Sequence, residues 1–270
     1  MIEGRELMSL VDEPLVLAIE TATRAGSISI ARGSAILGSL SGDPTASHST
    51  DLLDHIRQLL NEARVALSEI NFFAVAIGPG SFTGLRIGLA TIKAFAVYLD
   101  RQCVAVSSLA AVAHGAGCSK QTVALLPAGR GEVYAQMFRV AQTGETEPLD
   151  DAAHLSLQAL LERCGSLRSL RWAGDGAHLH EDQLRSWATN QGIDFVKSSN
   201  SDALPAKLES GWTLAQIDRH LAESVAALGL FDYRAGKALS ASELHADYVR
   251  PSDAEINEKW RKQNLLPASH

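Results

Sequence analysis

The clearest chemical pattern in the sequence is a glycine-rich segment that joins a predicted strand to a predicted helix. The segment spans 78–88 and reads GPGSFTGLRIG. Gly78 and Gly80 allow backbone angles and close approaches that a side chain would block. The unpaired amides at the start of the following helix can receive an anion. Two interpretations stay open: a phosphate site, or a tight turn that holds no ligand.

The spacing in this segment excludes three familiar site motifs. A P-loop requires a Lys-Ser/Thr pair after its last glycine, whereas a Leu-Arg pair follows Gly84. A dinucleotide fingerprint requires GxGxxG, whereas Gly78, Gly80 and Gly84 give GxGxxxG. A hydrolase elbow requires GxSxG, and the residue two before Ser81 is a proline.

The cysteines and histidines predict neither a disulfide framework nor a metal site. Cys103, Cys118 and Cys164 are odd in number and lack CxxC spacing, which is typical of a reducing, intracellular compartment. No HExxH motif occurs, and no two histidines stand four residues apart. The helical spacing that lets two histidines share one ion is therefore missing.

The overall charge disfavours strong direct binding to RNA. The 270 residues include 24 basic and 31 acidic side chains, a formal charge of −7. Nucleic-acid binders usually carry a basic stripe that neutralises phosphates, and the nearest approach here is a short basic run at 259–262. Hydrophobic residues make up 46%, which is typical of a soluble globular protein.

Neither a secretion signal nor a membrane span is expected. The first 14 residues are polar and acidic, without the apolar core of a signal sequence. The most apolar stretch, at 85–99, is interrupted by Arg86, Lys93 and glycine.

The first half of the sequence alternates between strand and helix patterns. Three short apolar runs with tight turns, at 15–19, 27–30 and 35–40, predict an antiparallel meander. The elements predicted next are a helix at 48–67, a buried parallel strand at 72–77, a helix at 82–99 and a strand at 103–106. This order is that of the ribonuclease-H-like half found twice in sugar-kinase, heat-shock and actin ATPases.

The helix predicted at 82–99 has more apolar surface than a single contact would use. Gly80, Gly84 and Gly88 share one face, and interior glycines cost roughly 1 kcal/mol each relative to alanine, so we expect a tightly packed neighbour there. The rest of the helix is apolar almost all round, whereas an amphipathic surface helix shows one stripe. One side should pack on the sheet. The chain's own first helix or a partner subunit should cover the other.

The second half has weaker patterns and resembles a degenerate copy of the first. Its predicted strands lie at 122–126, 132–140 and 170–173, its helices at 155–164, 178–188 and 213–229, and its loops at 141–153 and 197–211. We predict an α/β fold with two ribonuclease-H-like lobes of the sugar kinase, heat-shock and actin type. The first lobe spans 15–107 with the closing helix 213–229, the second spans 108–212, and 1–14 and 251–270 are tails.

Several short segments, taken in order, resemble the TsaB family. Besides the glycine-rich segment, they are LAIET at 17–21, HS at 48–49 before LL at 52–53, VSSL at 106–109, RGEVY at 130–134, GDGA at 174–177 and YVR at 248–250. Each is short, but the eleven-residue glycine-rich segment is highly specific and the set covers about residues 15–250. TsaB proteins are the non-catalytic paralogues of TsaD in tRNA threonylcarbamoyladenosine biosynthesis.

The resemblance implies an accessory subunit rather than an enzyme. It implies a cytoplasmic protein that forms a heterodimer with the catalytic TsaD paralogue and associates further with the TsaE ATPase. The complex transfers threonylcarbamoyl to the adenosine beside the tRNA anticodon, and this chain would contact tRNA only indirectly. No cofactor is expected in the chain itself, and ATP or ADP would bind within the complex.

The resemblance also suggests an interface. In the family the two helices of the first lobe form the heterodimer surface, and the same surface can form a homodimer. The residues carried over to this surface are His48, Leu52, Leu53, Ile56, Leu60, Phe82, Leu85, Arg86, Leu89 and Ile92. The candidate nucleotide-binding residues are Glu20, Thr21, Gly78, Gly80 and Ser81.

Two other functions remain open beside this one. The catalytic TsaD paralogue shares the Gly-Pro-Gly turn but binds a metal through an HxxxH pair, and the corresponding place at 106–114 holds the single histidine His114. No metal ligand or catalytic residue is therefore assigned. A weak nucleotide-binding ATPase would use Glu20 to hold magnesium, although a Gly-Pro-Gly turn replaces the expected acidic strand end. Peptidase activity is disfavoured because HExxH is absent.

The sequence departs from the family pattern at one position in the first half and one segment in the second. Glu20 stands where aspartate is common, so its carboxylate reaches one methylene farther. The sequence Pro-Ala-Gly-Arg at 127–130 replaces Asp-Ala-Arg before the GEVY segment. We expect a differently shaped hairpin there.

Overall fold

The computed structural model of the protein describes residues 13–43, 48–198 and 210–249, and of 48–50 it describes only the backbone. In that part of the chain, helices pack on two mixed β-sheets. The strands of the first sheet are β1 (Leu15–Glu20), β2 (Ser27–Arg32), β3 (Ala35–Ser41), β4 (Phe72–Gly78) and β5 (Gln102–Ser107). Those of the second sheet are β6 (Ser119–Gly129), β7 (Glu132–Val140), β8 (Thr146–Pro148), β9 (Ala153–Ser156), β10 (Ser169–Ala173), β11 (Phe195–Lys197) and β12 (Gly211–Leu214).

The helices connect these strands and cover their faces. They are α1 (His48–Ala63), α2 (Phe82–Leu99), α3 (Ser108–Gly115), α4 (Leu157–Cys164), α5 (Asp175–Leu179), α6 (Glu181–Asn190) and α7 (Leu221–Arg234), with a 3-10 turn at Leu67–Glu69. The predicted tail at 251–270 and most of the one at 1–14 lie outside the described residues.

The first sheet has the strand order β3-β2-β1-β4-β5. β1 pairs antiparallel with β2, and β2 with β3. β1, β4 and β5 are parallel to one another. The predicted meander followed by parallel strands is therefore confirmed, and so are the bounds of the second helix, which the structure places at Phe82–Leu99.

The strand β1 lies at the centre of this sheet and is buried on both faces. Leu15, Leu17 and Ile19 join the core that α1 and α2 cover. Val16 and Ala18 point the other way, into a core shared with α7. A continuous apolar run is what a strand covered on both faces requires. The functional side chains follow at its carboxyl end, where β1 stops at Glu20.

The second sheet has the order β11-β12-β10-β6-β7-β8, and β9 also pairs with β7. β6 and β7 are antiparallel, whereas β6, β10 and β12 are parallel. Its core contains Trp172 and Trp212, whose ring centroids lie 5.0 Å apart in an edge-on arrangement.

Two predicted helices have wrong boundaries. The helix predicted at 213–229 is wrong in its first part, because Gly211–Leu214 forms the fully buried strand β12 and α7 begins only at Leu221. A short apolar run fits a buried strand as well as a helix, so periodicity alone does not separate them. The helix predicted at 48–67 ends at Ala63, where Arg64 takes a left-handed φ of 55°.

Two further details of the second half differ from expectation. The predicted loop at 141–153 contains β8 and the start of β9, both short strands at the edge of the sheet. The helix predicted at 178–188 is two helices, α5 and α6, which meet at His180 with a non-helical φ of −111°. The polar composition of 141–153 gave no sign of the two short strands. The helical spacing continues across 178–188, so it gave no sign of the break between α5 and α6.

Candidate functional site

The glycine face of α2 packs against the chain's own first hairpin. A Cβ on Gly80 would lie 2.6 Å from the Cβ of Ala22, and one on Gly84 or Gly88 would collide with Thr21. The amide of Ser81 donates to the carbonyl of Ala22 at 2.8 Å. The predicted close neighbour of the glycines is therefore confirmed, and it is the turn between β1 and β2.

The C-terminal segment, defined here as 235–249, fills the space beside the same turn. Gly78 has a φ of 127°, and a Cβ there would collide with the carbonyl oxygen of Asp247. The amide of Asp247 in turn donates to the carbonyl of Ile77 at 2.8 Å. Ser81 caps α2, because its hydroxyl accepts from the amide of Gly84 at 3.2 Å. These contacts fit a packed turn better than a cradle for phosphate.

Glu20 is buried at the end of β1, with 1% of its surface exposed. Its Oε1 accepts from the amide of Thr23 at 2.7 Å, and its Oε2 accepts from the hydroxyl of the same residue at 2.6 Å. Burial raises the pKa of Glu20, and the bonds from Thr23 oppose that rise. Asp175, at the start of α5, raises the pKa of Glu20 further by like-charge repulsion.

A small, open cleft lies where these elements meet. Its walls come from the first hairpin, α3, β6, β10 and the segment before α7, and its charged lining residues are Asp175 and Asp218. Burial raises the pKa of both carboxyls; His178 and Arg24 oppose the shift at Asp175, and the amide of His220 opposes it at Asp218. Carboxylates repel phosphate directly, so these residues would meet a nucleotide's phosphate groups only through a bound cation.

His114, the histidine of the place where TsaD would carry its HxxxH pair, is engaged in internal packing. Its Nδ1 lies 3.0 Å from the hydroxyl of Ser224 on α7. Burial lowers the pKa of His114, and nearby Asp218 partly reverses that shift. Within the described ranges, no group of three or more His, Cys, Asp and Glu side chains is placed to hold a metal ion. Sequence reasoning missed Asp218, which belongs to no recognisable motif.

Half of the residues carried over to the interface lie in the hydrophobic core of the chain. Leu52, Ile56, Leu85, Leu89 and Ile92 are all buried there, and Leu60 is half-buried against the same core. Leu53 and Arg86 are exposed and Phe82 is half-buried. The side chain of His48 lies outside the described residues. A helical period shows which residues share a face, but not which face meets the sheet.

A second face of α2 is exposed, and we call it the α2 stripe: Arg86, Ala90, Ala94, Val97 and Tyr98. The side chains of Val97 and Tyr98 are 74% and 80% exposed. On the adjacent helix α1, Leu53 is 63% exposed. Thus α1, which packs on the same sheet face as α2, leaves the stripe uncovered. α2 is also the one helix among the described residues that is long and apolar enough to cross a membrane, although six of its residues are buried in the fold.

Comparison with known proteins shows which family the chain belongs to. A family model described as TsaD, tRNA N6-adenosine threonylcarbamoyltransferase, matches residues 44–204, more than half of the chain. The tRNA threonylcarbamoyladenosine biosynthesis protein TsaB of Bacillus subtilis is 28% identical over 91% of this chain and 97% of its own length. The protein of the same name from Escherichia coli is 29% identical over 56% of this chain and 67% of its own. The chain belongs to the TsaD family and, within it, to the TsaB proteins.

Solved structures extend the similarity of this TsaB-family chain to the fold. YeaZ from Pseudomonas aeruginosa superposes with a TM-score of 0.64 and 25% identity, covering 87% of this chain and 99% of that one. A second structure, described as similar to the peptidase YeaZ from Pseudomonas aeruginosa, gives 0.66 and 26%, covering 88% and 100%. The recognition of the family from the sequence is therefore confirmed.

The hairpin at which this TsaB-family chain departs from its family is tight. Gly129, Arg130 and Gly131 all have positive φ angles, of 79°, 53° and 79°. In Glu132, the first residue of β7, Oε2 lies 2.9 Å from Nε2 of His154 on β9. The altered segment is thus held between the two longest strands of the second sheet and a third strand beside them.

Proposed function

We propose that this TsaB-family chain is a non-catalytic accessory subunit in the synthesis of threonylcarbamoyladenosine in tRNA. It binds the catalytic TsaD paralogue and supports the transfer of threonylcarbamoyl to the adenosine beside the anticodon. The observation that carries the proposal is the exposed α2 stripe, in a chain whose relatives are named as threonylcarbamoyladenosine biosynthesis proteins.

The α2 stripe supports a protein partner on physical grounds. A helix that is apolar on two faces is stable in water when both faces are covered, and the sheet covers only one of them. Contiguous exposed apolar surface usually marks a site of protein interaction. The stripe also has small residues, Ala90 and Ala94, at its centre, which allow a partner helix to approach closely. The same surface could pair two copies when no other partner is present.

The non-catalytic role is supported by the hydrogen bonds of two groups, His114 and Glu20. Where TsaD would carry two histidines, His114 stands alone and bonds Ser224. Glu20 is held by Thr23 and is buried. These groups stabilise the chain's own fold, and we assign none of them to catalysis.

The architecture supports two ribonuclease-H-like lobes of the proposed kind. In the second sheet β8, β7, β6, β10 and β12 repeat the order and directions of β3, β2, β1, β4 and β5, with β11 added at the edge. The first lobe is 15–107 closed by α7, which packs on the first sheet. The second lobe, predicted to end at 212, runs from 108 to 214, so that it contains the whole of β12. The added edge strand β11, and β9 pairing with β7 outside the main strand order, support taking the second lobe as the degenerate copy.

The remaining partners follow from the same proposal. The TsaE ATPase would bind the heterodimer, and ATP or ADP would bind within that complex. The formal charge of −7 supports indirect rather than direct contact with tRNA, since phosphate contacts require basic groups. We place the chain in the cytoplasm, where tRNA is modified.

A catalytic transferase is the second candidate, because the matching family model is described as the transferase itself. An ATPase that binds nucleotide weakly is a third, although a Gly-Pro-Gly turn stands where the acidic strand end of such an ATPase is expected. A metal-dependent transferase would modify tRNA without a paralogue, and an ATPase would hydrolyse ATP alone.

The deciding experiment purifies this chain together with the TsaD paralogue from the same source. Threonylcarbamoyl transfer to tRNA is then measured by nucleoside mass spectrometry with this chain alone, the paralogue alone, and both, each supplied with TsaE, ATP and an adenylate-activated threonylcarbamoyl donor. The proposal expects a stable complex and strong transfer only when both are present. Transfer by this chain alone would establish the catalytic candidate instead.

A further inference from the structure

We infer that Arg86, held in place by Phe82 and Tyr248, recognises a carboxylate of the partner subunit at one end of the α2 stripe. The inference rests on the proposed function, because it concerns the subunit that covers the stripe. The occupant is a protein with an apolar helical face and an acidic side chain at the edge of that face.

Arg86 is prearranged by an aromatic stack. Its guanidinium carbon lies 3.8 Å from the centroid of the Phe82 ring. The Phe82 ring packs in turn on Tyr248, with centroids 5.3 Å apart and the planes tilted by 38°. An arginine stacked on a ring loses less conformational freedom when it binds, and its planar fork suits a carboxylate.

The stack is anchored by the C-terminal segment. Leu239 exchanges backbone hydrogen bonds with Cys103 of β5, at 2.8 and 2.7 Å. Leu244 is fully buried in the core beneath α1 and α2. Asp247 is tied to Ile77 by its amide. Tyr248 therefore reaches Phe82 from a backbone held at three points, although it is far from α2 in sequence.

The charge of the surface indicates what it binds. The sequence of α2 contains Arg86 and Lys93 and no acidic residue, in a chain whose net charge is −7. Arg86 forms no ion pair with any acidic side chain that the structure describes. Opposite charges across an interface steer association and fix its register. A carboxylate opposite Arg86 would complete the surface.

A second copy of this chain fits the α2 stripe less well. In a two-fold dimer the same patch meets itself, so α2 would face α2, and α2 carries no carboxylate of its own to receive Arg86. Of the acidic residues of α1, Asp54 lies near Arg57 at 3.4 Å, Glu62 accepts from Gln58 at 2.8 Å, and Asp51 is half-buried. Charge complementarity thus favours a different polypeptide.

The test compares three variants for binding to the purified TsaD paralogue by titration calorimetry. Arg86→Glu should weaken binding at least about tenfold, because it places like charges together. Arg86→Lys should lose less, because the ammonium keeps its charge but not the planar fork. Tyr248→Ala should weaken binding in the wild-type background and have little further effect beside Arg86→Glu, which is the signature of coupled residues.

A compensating substitution in the paralogue identifies the acidic residue that Arg86 contacts. Single Asp or Glu to Arg substitutions in the paralogue are screened against Arg86→Glu, and one of them should restore binding. Circular dichroism and thermal melting of each variant check that the fold is retained, with Arg86→Lys as the mildest change.

The outcomes separate the inference from the proposed function. If the wild-type chain binds the paralogue and the Arg86 variants bind equally well, the inference is overturned and the accessory role stands. If the variants lose self-association in light scattering but still bind the paralogue, the occupant is a second copy and the inference is again wrong. If the wild-type chain does not bind, both fail together.

Discussion

The backbone carbonyl of Thr21 lies so close to Gly84 that no side chain fits between them. This contact fixes α2 against the first hairpin, because the carbonyl belongs to the buried residue directly after β1. It also accounts for a glycine inside a helix, where it costs roughly 1 kcal/mol relative to alanine.

Replacement of Gly84 by alanine should therefore destabilise the protein despite the better helix propensity of alanine. We expect a loss of about 1–3 kcal/mol in the free energy of unfolding, the usual cost of overpacking a rigid site. Urea denaturation measures it. Ala90→Ser, on the exposed face of the same helix, is the control and should stay within about 0.5 kcal/mol. An unchanged Gly84→Ala protein would show that the contact is looser than described.

A charged side chain should destabilise the protein on one face of α2 and have little effect on its stability on the other. Leu89 is 7% exposed in the core, so Leu89→Asp should cost more than about 3 kcal/mol of stability or prevent folding. Val97 is 74% exposed, so Val97→Asp should change stability by less than about 0.5 kcal/mol. Thermal melting of both variants distinguishes the faces.

The same pair of variants tests the proposed interface. Val97→Asp should remain folded but lose co-purification with the TsaD paralogue, because its carboxylate would be buried in an apolar contact. Leu53→Asp, on α1, should act in the same direction. A Val97→Asp chain that still co-purifies would move the docking surface away from the α2 stripe.

The hydroxyl of Thr23 should stabilise the buried carboxylate of Glu20. Thr23→Val keeps the shape and the amide donor but removes the hydroxyl, so we expect a loss of about 1–3 kcal/mol. Thr23→Ser retains the hydroxyl and is the matched control. The difference in urea denaturation between the two variants at neutral pH reports the bonds of this hydroxyl, which donates to Glu20 and accepts from the amide of Gly26 at 3.3 Å. Equal stabilities would contradict their importance.

The cleft carboxyls predict a dependence of stability on pH. Burial raises the pKa of Asp175 above its ordinary value of 3.8, so the folded state holds the proton more tightly than the unfolded state. The stabilisation this brings is complete below about pH 3.8 and is lost as the pH rises through the folded pKa. Asp175→Asn removes this loss, and its melting temperature relative to wild type should therefore rise with pH above 4. A difference that is independent of pH would show that Asp175 does not titrate in the cleft.

The elements of the first half were predictable because their signals are local. The strand and helix periods in 15–107 identify the meander, the parallel strands and the full extent of α2 at Phe82–Leu99. The second half was harder to predict because its elements are short. Four residues at Gly211–Leu214 contain too little of either period to show a strand, and three at Phe195–Lys197 contain less.

The candidate surface was only partly predictable for a different reason. The spacing of residues on α2 showed that two faces are apolar, but both faces have similar composition, so the sequence did not show which one meets the sheet. The residues carried over to the interface consequently include Leu85, Leu89 and Ile92, which pack inside. Val97 and Tyr98, the most exposed large side chains of the helix, were not among them.

The sequence by itself determined the family, the glycine-rich turn and the need of its glycines for a close neighbour, because these depend on residue order over short distances. Only the tertiary structure decided that the neighbour is Thr21 and Ala22, that Tyr248 stacks on Phe82, and that His114 bonds Ser224. Each of these contacts joins residues distant in the chain or on different elements. Which of them meet depends on how the strands are ordered in the sheets, and no local period encodes that order.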